Sequence, residues 1–212
     1  MIKPIVEGHG EVPALPVLLR RIAGECFQVW NPPILTPGRY PSSRLLRKEE
    51  SEWVPGPDFE KAGGHARNEG ATAILVLLDL DDDCPKELHE AIAPVLHQST
   101  GITPSSLVFA KCEYEAWFLA AAESLADDIL PYTRDPESVR DAKSTLEEHL
   151  CLDYPYDEKT DQPRYSQRLN LAKVHGRSRS FRKLVKEFHS LLEQCGCNPI
   201  AWPCFIEKQY TD

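Results

Sequence analysis

No stretch of this chain approaches the roughly 18 consecutive apolar residues that crossing a bilayer takes, so the sequence predicts no membrane span. Met1-Ile2-Lys3-Pro4 does not open a signal peptide, because an acid-bearing motif follows at once. No Gly-x-x-x-x-Gly-Lys loop is present, which excludes a P-loop ATPase. His-x-x-x-His pairs and an ordered Ser/His/Asp set are also missing, as are internal repeats and low-complexity tracts. Positive charge is short: 24 Lys and Arg against 33 Asp and Glu leave a formal charge of −9. That balance argues against a generally sticky nucleic-acid coat and leaves a local basic face open. The seven cysteines are odd in number and scattered, as expected for reduced thiols of a cytoplasmic protein. Only Cys195, Cys197 and Cys204 cluster, near His189, and Cys-x-Cys is poor spacing for a zinc finger.

What is present is organised around Ile74-Leu75-Val76-Leu77-Leu78-Asp79-Leu80-Asp81-Asp82-Asp83. Unbroken aliphatic residues without polar alternation fit a strand buried on both faces, as in a parallel sheet covered by helices. In a strand, residues two apart share a side. Asp79 and Asp81 would then leave the carboxyl edge together, where open α/β sheets bind ligands. Adjacent carboxylates repel unless a cation neutralises them, and oxygen-only donors suit Mg²⁺ or Mn²⁺. The alternative for this stretch is a solvated acidic loop.

Ile2 to Val6 reads as a first strand, Glu7 to Glu11 as a glycine turn, and Val12 to Ala23 as a helix stopped by Gly24. Pro and Gly crowd residues 31–57, so a second strand at Ile34-Leu35 and a long loop carrying Arg39, Arg44, Arg47 and Lys48 are expected. A helix over Asp58 to Asn68 leads into the central strand. Asp83 caps a further helix with Pro85 in its first turn and Leu88, Ile92, Val95 and Leu96 as its buried stripe. Leu107 to Ala110 is another strand, running into a helix that extends from Glu113 to about Ser124. After Asp127 only helical pattern remains, over Pro136–Leu150, Tyr165–Val174 and Arg179–Gln194. The fold class is therefore α/β: a mostly parallel sheet flanked by helices over residues 1–125, with a C-terminal helical extension over 126–212 packed on it.

Three acidic clusters fall at the carboxyl ends of three of these strands: Glu7 with Glu11, Asp79 with Asp81 and Asp83, and Glu113 with Glu115. Parallel strands would carry all three to one edge, giving parts for metal-assisted phosphoryl transfer or phosphodiester hydrolysis. Glu113 has a plainer reading as a helix-start carboxylate, Glu115 as a solvated one, Trp117 as core and His9 as a turn residue without a role. Between Asp161 and Glu187 there is no acid at all. Arg164, Arg168, Lys173, Arg177, Arg179, Arg182, Lys183 and Lys186 fill that window. They suit either phosphate contacts or docking of a basic helix on the acidic body of the same protein.

With those residues in view, the chain resembles the Toprim fold of topoisomerases, primases and overcoming-lysogenization-defect-type nucleases. The resemblance is carried by the strand-Glu7-Gly8 element and the strand-Asp79-x-Asp81 element. Val6-Glu7-Gly8-His9-Gly10-Glu11, Leu78-Asp79-Leu80-Asp81-Asp82-Asp83-Cys84-Pro85, Glu113-Tyr114-Glu115-Ala116-Trp117-Phe118-Leu119-Ala120 and Ser178-Arg179-Ser180-Phe181 look like a narrower Toprim-like family. Its members are commonly encoded beside ABC/Rad50-type ATPases, in settings that suggest anti-phage defence. The resemblance implies a Mg²⁺- or Mn²⁺-dependent nuclease working with a partner ATPase, or a non-catalytic partner or regulator of one. It implies Glu7 as general acid/base or metal ligand and Asp79 and Asp81 as metal ligands. Glu11, Asp83, Glu113 and Glu115 stand as further acids, and Lys111 as the lysine that completes such sites.

Overall fold

A computed structural model describes residues 1–50, 52–80 and 84–200, with backbone alone at 97–99. Four strands form one parallel sheet in the order β2-β1-β5-β6: β1 is Ile2–Val6, β2 Gly38–Arg39, β5 Ala73–Asp79 and β6 Ser105–Ala110. β3 (Leu46–Glu49) and β4 (Glu52–Pro55) pair antiparallel in a separate hairpin. The helices are α1 (Glu11–Arg21), α2 (Ser42–Leu45), α3 (Phe59–Asn68), α4 (Pro85–Thr100) and α5 (Glu115–Ala120). They continue with α6 (Ala142–His149), α7 (Glu158–Arg168), α8 (Leu171–Arg177) and α9 (Arg179–Gln194). The α/β class and the helical C-terminal region are as the sequence leads one to expect. No helix among the described residues is long and apolar enough to cross a membrane.

The period of two along each strand divides the core. Val6, Leu75, Leu77, Val108 and Ala110 join one buried cluster with α1, α5 and the helices after residue 126. Ile5, Ile74, Val76, Leu78, Leu107 and Phe109 join the other, with α3 and α4. This is why β5 carries no polar alternation: both its faces are covered. From β1 the chain steps outward to β2 and later returns on the opposite side as β5. The switch in direction thus falls between β1 and β5, where the open crevice of such sheets lies.

Several expectations need correction. Gly24 does not stop the first helix, which runs on through a π-helical stretch, Ile22–Cys26. The exposed Trp30 ring lies over it, 2.9 Å from where a Cβ on Gly24 would stand. Ile34 makes only an isolated bridge to Ile2, and the second strand is Gly38–Arg39. The expected loop around Arg44, Arg47 and Lys48 is α2 and the β3–β4 hairpin. There Lys48 lies over the Trp53 ring at 5.2 Å and Arg44 pairs with Asp58. The helix expected over Tyr165–Val174 is two, α7 and α8, parted where the Asn170 side chain caps α8 by accepting from Lys173 N–H. Over Pro136–Leu150, a 3-10 turn at Pro136–Ser138 precedes the shorter α6.

Candidate functional site

Glu7 follows β1 directly, Asp79 ends β5, and Lys111, Glu113 and Glu115 follow β6. Because β1, β5 and β6 are parallel, with Ile5 beside Val76 and Asp79 beside Ala110, these residues emerge at one edge of the sheet. Glu11 comes to the same place from the first turn of α1, where the helix dipole favours an acid. Its Oε2 folds back to accept from Glu7 N–H at 3.1 Å and Gly8 N–H at 2.9 Å. Glu11 is only 2% exposed. Burial pushes its carboxyl up to about 7; the Gly8 hydrogen bond lowers it, and the charges of Glu7 and Glu115 raise it.

Asp79 is the centre of the arrangement. Its Oδ1 is buried and has no hydrogen-bond partner among the described residues, although the residue as a whole keeps some surface. Burial, and then the charges of Glu11, Glu115, Glu7 and Glu113 in that order, hold its carboxyl well above the usual carboxylate range. Five of the acids singled out in the sequence therefore act on one another here. Asp81 and Asp83 lie outside the described residues. Lys111 is half-buried at the same edge, and His9 is exposed in the turn.

Two readings change in this light. Glu115 is not solvated; it is 5% exposed. Its Oε1 accepts from Tyr156 Oη and from Gln162 Nε2, both at 2.8 Å. Burial raises its carboxyl and those two bonds oppose the rise. Glu113 is more than a dipole partner, since its Oε2 accepts from Lys143 N–H at 2.9 Å and so joins the start of α6. Trp117 is core, fully buried, with Nε1 donating to Ser180 Oγ at 2.8 Å. Tyr156 and Gln162 escaped the sequence reading because no spacing ties them to Glu115.

All-oxygen donors, a buried carboxylate oxygen left without a partner and repelling acids suit a hard divalent cation. Among the described residues no group of three or more His, Cys, Asp or Glu is arranged to hold an ion. That pattern is compatible with Mg²⁺, which is usually bound through one or two carboxylates, waters and substrate phosphates rather than in an all-protein cage. His189 meets Glu193 at 3.5 Å and the Ile200 carbonyl at 3.3 Å; Cys204 lies outside the described residues.

The basic window is divided. Arg168 donates to Leu125 O, Arg177 to Ala120 O and Arg134 O, and Arg182 to His175 O. Arg164 packs over Tyr165 and Lys173 pairs with Glu123 at 2.8 Å. These side chains bind the molecule to itself. Arg179, Arg182, Lys183 and Lys186 line a cavity of about 520 Å³ on the outer face of α9 with His189, although Lys183 also pairs with Glu187.

No curated protein and no solved structure matches this chain. A family model described as a domain of unknown function (DUF4276) matches residues 6–189, from the residue before Glu7 to the outer face of α9. The chain belongs to the DUF4276 family.

Proposed function

We propose that this protein is a Mg²⁺- or Mn²⁺-dependent nuclease of Toprim-like type, hydrolysing phosphodiester bonds of DNA or RNA. One observation carries the reading: Asp79, with Oδ1 buried and lacking a described partner, stands among Glu11, Glu115, Glu7 and Glu113 at the crevice edge of a parallel sheet. Buried like charges are costly to the fold, and a cation is the simplest means of offsetting them. Asp79 and Glu115 would hold the ion, together with Asp81, with waters and substrate phosphates completing its coordination. A bound divalent ion lowers the pKa of coordinated water and offsets charge on phosphate oxygens. Glu7, at the rim, would exchange a proton with the attacking water or the leaving oxygen. The exposed cations of α9, Arg179 and Lys186 foremost, would contact phosphates without reading sequence. The resemblance drawn from the sequence adds a partner ATPase of the ABC/Rad50 type and a place in anti-phage defence.

The test is cleavage of single- and double-stranded DNA and RNA with Mg²⁺ or Mn²⁺, with and without an ATPase encoded alongside. The expected result is metal-dependent cleavage, lost in Asp79→Ala and Glu7→Ala while circular dichroism and melting show a folded chain. Wild-type protein that stays inert under all these conditions would overturn the proposal.

A second reading is a non-catalytic partner or regulator of an ATPase. It is favoured by the commitment of Arg168, Arg177 and Arg182 to the protein's own carbonyls, which leaves less basic surface for a polyanion. Its signature is a complex with the ATPase that survives Asp79→Ala.

A further inference from the structure

The helical half of the chain reaches the acidic edge through side chains that no motif announced. Glu115 opens α5 and is buried, yet both hydrogen bonds to its Oε1 come from beyond residue 126. Tyr156 donates from the segment before α7, and Gln162 donates from within α7; each is 5% exposed. Neither donor has much freedom. The Tyr156 ring stacks on Tyr165, with centroids 6.2 Å apart and planes 17° from parallel. The Gln162 amide is pressed against the turn that carries Glu7 and Glu11, so that a Cβ on Gly10 would stand 2.4 Å from Gln162 Oε1 and 2.6 Å from Glu158 O. Glycine at position 10 is what lets α7 approach so closely. A carboxylate gripped by two buried donors, and bonded besides by its own backbone N–H, has a fixed rotamer. This is how outer-shell partners commonly set a metal-binding carboxylate.

We infer that Tyr156 and Gln162 are positioning residues that aim the Glu115 carboxylate at the cation site beside Asp79, so that the helical region completes this site. The inference rests on the divalent-metal reading above and adds the residues that hold one of its acids in place. A buried polar pair serving stability alone would hold Glu115 equally well, yet its loss would leave cation affinity untouched.

The experiment is calorimetric titration of the full-length chain with MgCl₂ and with MnCl₂, for wild type, Tyr156→Phe, Gln162→Leu, Glu115→Gln and the double variant Glu115→Gln/Gln162→Leu. Melting curves are recorded alongside, and Tyr156→Phe keeps the ring stack so that one variant folds. Affinity is expected to fall about tenfold in Tyr156→Phe and in Gln162→Leu, the usual size of an outer-shell loss. Gln162→Leu should add little once Glu115 is already Gln, because it acts through that carboxylate. Wild-type affinity retained in both single variants overturns the inference and leaves the metal reading standing. Full additivity in the double variant also overturns it. A wild-type chain that binds neither ion overturns the metal reading, and the inference with it.

Discussion

Asp79 shows at the level of one residue why a carboxylate can be worse for the fold than its amide. Its carboxyl is held well above the usual range by burial and by Glu11, Glu115, Glu7 and Glu113. A folded-state value above the unfolded one means that the ionised form opposes folding. The penalty is greatest where the group is ionised and is relieved as falling pH protonates it. Asp79→Asn should therefore raise stability at pH 8 by about 1 kcal/mol, in the manner of a functional residue retained against stability. The gain should shrink toward pH 5, and saturating Mg²⁺ should raise the melting temperature of wild type but not of Asp79→Asn. Thermal melts across pH, with and without the ion, provide the check. A variant less stable than wild type at pH 8 would show that Asp79 is satisfied as it stands.

At the level of elements, β5 was legible because a strand covered on both faces has to be apolar throughout, and Ile74 to Leu78 are all aliphatic. α9 was legible from end to end, since Ser178 caps it by accepting from Phe181 N–H and its buried residues recur at helical spacing. The hairpin was not. Leu46–Glu49 and Glu52–Pro55 have little apolar alternation because the β3–β4 ribbon is largely exposed and paired through its backbone. Nor was the depth of Glu115, whose donors lie 41 and 47 residues further along. An acid after a strand can be read locally, whereas its burial depends on which helix returns to cover it.

The junction of α8 and α9 carries a pH prediction of its own. His175, in the last turn of α8, is 5% exposed, and burial followed by the nearby Arg182 charge pushes its imidazole down to about 4. The unfolded chain then binds the proton more tightly than the folded one. The histidine's contribution is complete above about pH 6.5 and is lost as pH falls toward 4, by up to about 3 kcal/mol. The carboxyls raised at the sheet edge shift stability the other way, so the informative quantity is the difference between wild type and His175→Phe. That gap in unfolding free energy, from urea titrations between pH 7.5 and 4.5, should move in favour of the variant as pH drops. A gap independent of pH would mean that His175 takes up its proton freely in the folded state.

Across the whole molecule, the composition change near Asp127 marks a boundary in secondary structure, but the core does not divide there. On α5, Trp117 packs against Phe181 of α9 and Phe118 against Tyr165 of α7, while Tyr114, just before it, is buried against both α5 rings and bonded through its hydroxyl to Ser166 of α7. Arg21 of α1 donates to the carbonyls of Ser166 and Leu169. α1 and α7 lie against each other along their length, and α9 covers β6 and β5. Cutting the chain after residue 125 would uncover three large aromatic rings and the part of one sheet face, on β5 and β6, that α9 covers. Each such ring accounts for about 1.5–3 kcal/mol or more of burial, against a total stability on the order of 5–15 kcal/mol. The full chain should accordingly melt in one cooperative transition, with the calorimetric and van't Hoff enthalpies in agreement. A fragment of residues 1–125 should lack that transition, bind a hydrophobic dye and show no defined near-ultraviolet dichroism from its tryptophans. If the fragment instead melted cooperatively and titrated with Mg²⁺ as the full chain does, the acidic edge would be sufficient without α7, and the hold of Tyr156 and Gln162 on Glu115 would be dispensable to it.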